Sequence, residues 1–170
     1  VAAWLAALAN RKGPVALILT RQNVPWLNTT VADAMRGGYV LAEAAGGDGQ
    51  PVEPQVILIG TGSEVQLAVG ARELLAAEGI AARVVSLPSW ELFAQQPEEY
   101  RESVLPGHIR ARVSVEAGVT EGWQRFVGLD GRSVGVDRFG ASAPYQVIYE
   151  RLGVTAEAVA KTARELVRGQ

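Results

Sequence analysis

The chain has 170 residues, of which 48% are hydrophobic and 20% are charged, the proportions of a soluble globular protein. Its formal charge is −2, from 16 basic and 18 acidic side chains, which gives no electrostatic footprint for nucleic acid or an anionic membrane. The absence of cysteine excludes disulfide scaffolds, thiolate zinc sites and thiol catalysis. No apolar run approaches the ~20 residues of a membrane-spanning helix. We therefore expect a cytoplasmic protein without nucleic-acid or membrane partners.

The N-terminal region is predicted to hold one helix and one strand. Residues 1–10 carry apolar side chains at helical spacing and lead into Arg11-Lys12-Gly13, which predicts a helix that ends there. Residues 15–19 are uniformly apolar, as in a strand that is covered on both faces. Because the chain opens within a helical pattern and without Met, we expect a fragment of a longer protein.

The following region is predicted to alternate strands and helices. Residues 24–36 indicate a connecting segment with a helical turn near residues 31–35, and a short strand follows over residues 39–42. A strand–helix–strand unit then begins. Its parts are a strand over 56–59, a turn at Gly60-Thr61-Gly62, a helix with a capping box of Ser63 and Gln66 that stops at Gly79, and a strand over 81–87.

The C-terminal half continues the alternation. The predicted elements are helices over 90–94 and 97–105, strands over 112–115 and 133–136, a helix over 144–151 and a last helix that starts at Thr155, with Val154 and Val159 as a hydrophobic staple. Strands that alternate with helices indicate the α/β class.

Gly60-Thr61-Gly62-Ser63 lies between a predicted strand and a helix N-terminus, where a phosphate-binding turn would lie. The dinucleotide fingerprint would need a third glycine in place of Val65, and the Walker pattern needs a lysine that is absent. Close backbone packing explains two glycines without a ligand, and we favour it over anion binding.

Two further candidates for chemistry, a G-x-S-x-G string that matches by chance and the single histidine, are disfavoured. Ser133 stands in a G-x-S-x-G string, but the string enters a predicted strand instead of following one, as a nucleophile elbow requires. His108 is the only histidine, so a transition-metal site is disfavoured and a surface or capping role is preferred.

Several charged and aromatic residues favour structural roles. Glu116 follows a buried strand and could be a general base or a dimer contact, but such a carboxylate more often caps the next turn. Arg110 and Arg112 alternate onto one strand face, which indicates a solvated edge more than a phosphate patch. The tryptophans outside predicted strands are interpreted as packing or interface anchors, and they are Trp26, Trp90 and Trp123.

Arg21 is the strongest candidate for ligand binding. It lies in the polar cluster Thr20-Arg21-Gln22-Asn23, at the carboxyl end of an apolar predicted strand, where ligands bind in open α/β sheets. The planar guanidinium suits bidentate contact with phosphate or carboxylate. A salt bridge that anchors the connecting segment is an equally good explanation at this point. No nucleophile, base or metal cluster accompanies Arg21, so the chain alone does not look catalytic.

Several motifs, at residues 13–24 and at six places between Arg36 and Pro144, stand in register and together resemble the C-terminal part of the transketolase family. Residues 13–24 are similar to the final strand of the pyrimidine-binding domain of that family. The other motifs follow in the order and spacing of its C-terminal domain. They are Arg36-Gly37-Gly38-Tyr39-Val40-Leu41, Ile59-Gly60-Thr61-Gly62-Ser63-Glu64-Val65, Arg83-Val84-Val85-Ser86-Leu87-Pro88-Ser89, Tyr100-Arg101-Glu102-Ser103-Val104-Leu105-Pro106, Val115-Glu116-Ala117-Gly118 and Phe139-Gly140-Ala141-Ser142-Ala143-Pro144.

This resemblance implies a three-layer α/β sandwich with a mostly parallel, mixed sheet. It divides the chain into the tail of the pyrimidine-binding domain (1–23), a linker (24–36) and the C-terminal domain (37–170). The implied enzyme is a homodimer that uses thiamine diphosphate and Mg²⁺ to transfer a two-carbon ketol unit from ketose phosphates to aldose phosphates. The groups that hold the cofactor and the metal lie upstream in the family, so no cofactor is expected on this chain.

Arg21 is the one functional residue that the resemblance assigns, as a contact to the substrate phosphate. Thr20 departs from the family, in which serine is common at this position. The C-terminal domain carries no catalytic group in the family and is credited with dimer contacts, so the isolated chain is expected to be inactive.

Other functions stay open. They are a free-standing α/β module that binds a phosphometabolite or regulates, a structural dimerisation domain, or the C-terminal part of deoxyxylulose-phosphate synthase or of the 2-oxoacid dehydrogenase E1 β chain.

Overall fold

A mixed sheet of five strands forms the centre of the computed structural model, which describes residues 1–27 and 29–169. The strand order is β1-β3-β2-β4-β5, and β1 alone runs antiparallel to its neighbour. The bounds are β1 Tyr39–Ala42, β2 Val56–Gly60, β3 Ala82–Ser86, β4 Arg112–Val115 and β5 Arg132–Val134. The predicted α/β class and the mostly parallel, mixed sheet are confirmed.

Helices follow most strands in the part of the chain that the structure describes. Their bounds are α1 Ala2–Ala9, α2 Val31–Met35, α3 Val65–Ala76, α4 Trp90–Ala94, α5 Glu98–Val104, α6 Gln124–Val127, α7 Tyr145–Leu152 and α8 Ala156–Arg168. A single 3₁₀ turn, Gly62–Glu64, precedes α3. Among the described residues, no helix combines the length and the apolar character needed to cross a membrane.

Both faces of the sheet are buried, and β2 shows why. Its alternate residues Val56 and Leu58 pack with α3 and α8, whereas Ile57 and Ile59 pack with an aromatic cluster on α4 and α6. Side chains of a strand alternate between the two faces, so a strand with no polar residue must be covered on both. Helices on each face therefore produce the three layers that the family resemblance implied.

The last helix docks on the sheet as its capping signals predict. Thr155 is the N-cap of α8, and its side chain accepts a hydrogen bond from the backbone N–H of Ala158 at 3.2 Å. Val154 and Val159, the predicted hydrophobic staple, are both buried. Small residues bring α8 close to α3, since a Cβ on Gly70 would lie 3.2 Å from the Cβ of Ala156.

The strand predicted over residues 15–19 is not formed. This segment is unpaired, and the side chain of Ile18 is 95% exposed. An apolar run becomes a strand only when a neighbouring strand satisfies its backbone groups, and no strand in residues 1–27 and 29–169 pairs with it. The prediction of a strand over residues 15–19 is therefore wrong for this structure, because an apolar run does not specify a pairing partner.

Two predicted helix boundaries are also wrong. The helix α1 ends at Ala9 with Asn10 as its C-cap, so Arg11 and Lys12 lie beyond its last turn, and Gly13 does not adopt a positive φ. The capping box of Ser63 and Gln66 does not form, because the 3₁₀ turn moves the start of α3 to Val65. The Gln66 side chain instead donates to the carbonyl oxygen of Ser63 at 3.0 Å.

Candidate functional site

The carboxyl ends of β2 and β4 lie side by side, with Gly60 paired in register with Val115. Each strand is followed by a tight loop, the turn into α3 after β2 and residues 116–118 after β4. In parallel sheets such loops meet at one edge, and this is the edge at which α/β folds bind ligands. Functional groups are therefore expected at this edge of the sheet.

A buried carboxylate, Glu64, occupies this edge. It is only 6% exposed, and three donors satisfy it. Oε1 accepts from the Ser63 hydroxyl at 2.6 Å and from the Tyr149 hydroxyl at 2.6 Å, and Oε2 accepts from the backbone N–H of Ala117 at 3.2 Å. Glu64 thus joins the turn before α3, the loop after β4 and helix α7. Sequence reasoning missed this role, although Glu64 stands in the motif that it had singled out.

The Glu64 carboxylate bears directly on the predicted phosphate turn. An anion at Gly60-Thr61-Gly62-Ser63 would lie beside a buried acidic side chain, and like charges in a poorly solvated place repel strongly. A Cβ on Gly60 would lie 2.7 Å from the Cα of Val65, so close backbone packing requires this glycine. Both observations favour close backbone packing over a ligand at Gly60, whereas Gly62 faces open space and is favoured by its φ of +54°.

Tyr149 links Glu64 to the segment that carries Arg21. Its hydroxyl donates to Glu64 and accepts a hydrogen bond from Nε2 of Gln22 at 3.0 Å. Burial raises the pKa of the Tyr149 hydroxyl, and the hydrogen bond to Glu64 raises it further, whereas the bond from Gln22 opposes the shift. The ring of Tyr145, one turn earlier on α7, packs edge-on against Tyr149 with 5.5 Å between centroids.

Arg21 precedes Gln22 in a bend and is exposed. The backbone N–H of Gln22 donates to Oγ1 of Thr20 at 3.1 Å, which shapes this bend. Within residues 1–27 and 29–169, Arg21 forms no ion pair, so the salt bridge considered as its alternative role is not observed there. Its contact to a substrate phosphate stays a prediction.

Glu116 and Trp123 form a second polar contact near this edge. Oε2 of Glu116 accepts a hydrogen bond from the indole nitrogen of Trp123 at 2.7 Å. Trp123 is buried and packs edge-on against Trp90, with ring centroids 5.1 Å apart. Glu116 therefore satisfies a buried indole N–H, a structural role that differs from the cap of the next turn predicted from the sequence. Trp90 and Trp123 are confirmed as packing anchors, whereas Trp26 is 92% exposed.

The remaining candidates have structural environments. Ser133 lies within β5, where its hydroxyl accepts from Ser114 at 2.7 Å, so it forms no nucleophile elbow. His108 is at the surface, and its Nε2 lies 2.8 Å from Oε1 of Glu53.

Arg110 and Arg112 do not share an environment. Arg110 forms a surface ion pair of 2.5 Å with Asp130. Arg112 is half-buried against backbone carbonyl groups on the inner strand β4, which corrects the prediction of a solvated edge.

The comparison with known proteins decides the family. Residues 37–155 match the family model described as the transketolase-like C-terminal domain. The chain belongs to this family. A chloroplastic transketolase of Craterostigma plantagineum is 50% identical over 166 residues, which cover 97% of this chain and 31% of that protein. A transketolase of Mycobacterium bovis is 54% identical over 164 residues, or 95% of this chain and 23% of that protein.

Solved transketolase structures share the fold. A transketolase from Leishmania mexicana aligns with a TM-score of 0.89 and 38% identity, covering 99% of this chain and 23% of that chain. A transketolase from Pichia stipitis, solved in complex with sedoheptulose-7-phosphate, aligns with a TM-score of 0.88 and 38% identity over 99% of this chain and 23% of that chain. This chain therefore spans less than a third of the length of these relatives.

Proposed function

We propose that this chain is the C-terminal part of a homodimeric transketolase that transfers a two-carbon ketol unit from ketose phosphates to aldose phosphates. The observation that carries the proposal is identity of 50% or more to proteins named transketolase across 95% or more of the chain. The transketolase resolved with sedoheptulose-7-phosphate, at 38% identity, supports sugar phosphates as the substrate class. The named relatives favour this enzyme over deoxyxylulose-phosphate synthase and the E1 β chain.

Thiamine diphosphate and Mg²⁺ are proposed for the full enzyme. The described part of this chain contains no group of three His, Cys, Asp or Glu side chains that could hold a metal ion. A Mg²⁺ ion is commonly held by one or two carboxylates together with the phosphate oxygens of its ligand. The family resemblance implies that the groups that hold the cofactor and the metal lie upstream of this chain. On that ground we propose that cofactor binding belongs to other parts of the enzyme and that the isolated chain has no turnover.

The division of the chain is proposed as it was expected from the sequence. Residues 1–23 would complete the pyrimidine-binding domain, 24–36 would form the linker and 37–170 the C-terminal domain. In support, residues 1–27 expose many apolar side chains that a neighbouring domain or subunit would cover. They include Trp4, Leu8, Ile18, Leu19 and Trp26. A cytoplasmic location is proposed as well, although the name of the Craterostigma relative specifies the chloroplast.

Within this enzyme we propose that Arg21 binds the substrate phosphate. Its exposed guanidinium, without an ion pair among the described residues, supports this role, because its planar N–H groups can donate two parallel hydrogen bonds to phosphate oxygens. A charge-assisted hydrogen bond of this kind contributes about 1.5–3 kcal/mol. In this role Arg21 would strengthen binding of the substrate through its phosphate. Residues elsewhere in the enzyme would carry out the reaction at the carbonyl group.

The test is Arg21→Ala in the full-length enzyme. We expect KM for a phosphorylated ketose donor to rise by about tenfold or more, with a much smaller change for hydroxypyruvate, which has no phosphate. Arg21→Lys should recover part of the loss, since lysine keeps the charge but not the fork. Arg11→Ala is the matched control, because Arg11 is also exposed in the N-terminal segment. Equal losses for both donors would count against the phosphate role of Arg21.

A further inference from the structure

We propose that Tyr149 and Gln22 are positioning residues for Arg21, so that the C-terminal domain holds the phosphate-binding side chain in place. This inference rests on the proposed role of Arg21. It concerns residues of this chain that lie 127 positions apart in sequence and meet through one hydrogen bond of 3.0 Å. The fixed end of this connection is Glu64.

Glu64 is fixed by the fold itself. It lies in the 3₁₀ turn directly after β2, and its Oε2 accepts from the backbone N–H of Ala117, just after β4. The neighbouring Ser63 hydroxyl donates to Oε1 at 2.6 Å. A buried carboxylate with these donors has little freedom to move without leaving a polar group unsatisfied. Glu64 therefore provides a rigid acceptor for the hydroxyl of Tyr149.

The hydrogen-bond directions follow from the number of protons. The Tyr149 hydroxyl has a single proton, which it donates to Oε1 of Glu64 at 2.6 Å, since a carboxylate can only accept. The group of Gln22 that faces Tyr149 must then be the amide NH₂, which donates to the hydroxyl oxygen. Oε1 of Gln22 is buried without a partner among the described residues, so the amide is held by its NH₂ group. The position of the Gln22 side chain therefore depends on the position of the Tyr149 hydroxyl.

The hydrogen bond from Gln22 to Tyr149 connects the segment that carries Arg21, residues 11–27, to helix α7 and, through Glu64, to the edge of the sheet. Among the hydrogen bonds of the described residues, the one from Gln22 to Tyr149 alone joins residues 11–27 to residues 37–169. Arg21 is one peptide bond from Gln22, so a contact that holds the Gln22 side chain also restrains the backbone at Arg21. Losing the bond would let the guanidinium sample more positions, and a misplaced binding group contributes less to recognition. The loss should fall on phosphate recognition and not on the reaction at the carbonyl group.

The experiment uses the full-length enzyme with Tyr149→Phe, which removes the hydroxyl and keeps the ring. We expect KM for a phosphorylated ketose donor to rise by about three- to tenfold, the usual range for one neutral hydrogen bond, with kcat and KM for hydroxypyruvate unchanged. Tyr145→Phe is the matched control, because Tyr145 lies on the same helix and its hydroxyl makes no hydrogen bond within the described residues. It should leave all four constants unchanged.

Gln22→Met tests the same bond from the other side and does not depend on the packing of α7. It should reproduce the selective rise in KM, and the double variant with Tyr149→Phe should be no worse than either single variant, because both remove one interaction. In an Arg21→Ala background, Tyr149→Phe should have no further effect on the ratio of the two KM values. Thermal unfolding of each variant checks that the fold is retained.

The outcomes separate the two proposals. If Arg21→Ala is selective for the phosphorylated donor and Tyr149→Phe and Gln22→Met are not, the positioning role is overturned while the proposed function stands. A loss shared equally by both donors in Tyr149→Phe and Gln22→Met also overturns it, since that is the effect of a merely structural contact. If Arg21→Ala itself shows no selectivity, the phosphate role fails and the positioning role fails with it.

Discussion

Arg112 donates from Nη2 to the carbonyl oxygen of Pro106 at 2.7 Å, across the loop that leads into its own strand. The same guanidinium donates to three further carbonyl oxygens, those of Leu105 at 3.1 Å, Ile109 at 2.9 Å and Phe126 at 2.8 Å. One side chain thereby holds together the end of α5, the loop before β4 and the end of α6 by hydrogen bonds to their carbonyl groups. Burial lowers the pKa of Arg112, and the nearby charge of Glu102 opposes the shift.

Replacing Arg112 should therefore be far more costly than replacing Arg110. Arg112→Lys keeps the charge but cannot reach four carbonyl groups, so we expect a loss of about 2–3 kcal/mol in the free energy of unfolding. Arg110→Ala removes an exposed ion pair with Asp130 and should cost less than about 1 kcal/mol. Urea unfolding of both variants measures the difference. Similar midpoints for the two variants would show that the carbonyl contacts of Arg112 add little stability.

The different environments of Arg110 and Arg112 could not be predicted from the local sequence. Both stand at alternating positions next to a predicted strand, and local pattern makes them equivalent. Their environments differ because α6, which lies beyond β4 in sequence, brings the carbonyl group of Phe126 to Arg112 alone. The apolar run of β2 carried its signal locally, whereas the same signal over residues 15–19 predicted a strand that is not formed. The contacts of a side chain depend on which distant segments pack beside it.

The candidate site shows the same limit. Its turn was located from Gly60-Thr61-Gly62, and Arg21 was singled out from the polar cluster after an apolar run. Glu64 was not recognised, because its partners Tyr149 and Ala117 lie 85 and 53 positions away. A lone acidic residue at a strand–helix turn between apolar segments was the one local signal that could have drawn attention to it.

The two glycines of the turn should respond differently to alanine. A Cβ on Gly60 would lie 2.7 Å from the Cα of Val65 and 3.1 Å from its nitrogen, so the backbone of α3 would have to shift. We expect Gly60→Ala to cost at least about 2 kcal/mol. At Gly62 there is open space, and the cost of alanine is that of a φ of +54°, about 1 kcal/mol.

Urea unfolding of the two glycine variants, side by side, tests this order of stabilities. Gly62→Asn serves as the control, since asparagine adopts positive φ more readily than alanine and should recover part of the loss. A Gly60→Ala variant as stable as the parent would mean that the turn has room for a side chain. The packing explanation of the motif would then lose its main support.

Alkaline pH should weaken the contact between Tyr149 and Glu64. The pKa of Tyr149 is raised above its ordinary value of 10.0 by burial first and by its hydrogen bond to Glu64 second, so the folded state holds the hydroxyl proton more tightly than the unfolded state does. The stabilisation by this proton is fully present below about pH 10, which is the pKa of tyrosine in the unfolded state. It is lost as pH rises through the higher pKa that Tyr149 has in the folded state. Tyr100, whose pKa burial also raises, adds to the same decline.

The measurement is the free energy of unfolding of the parent and of Tyr149→Phe between pH 7 and pH 12. Phenylalanine cannot donate a hydrogen bond to Glu64, so the free energy of unfolding of Tyr149→Phe should be lower than that of the parent by about 1 kcal/mol at neutral pH. Because phenylalanine has no proton to lose, this difference between the two proteins should close above pH 10. Tyr100→Phe in both backgrounds removes the second contribution and isolates that of Tyr149. A gap that stays constant up to pH 12 would mean that the Tyr149 hydroxyl contributes no pH-dependent stability.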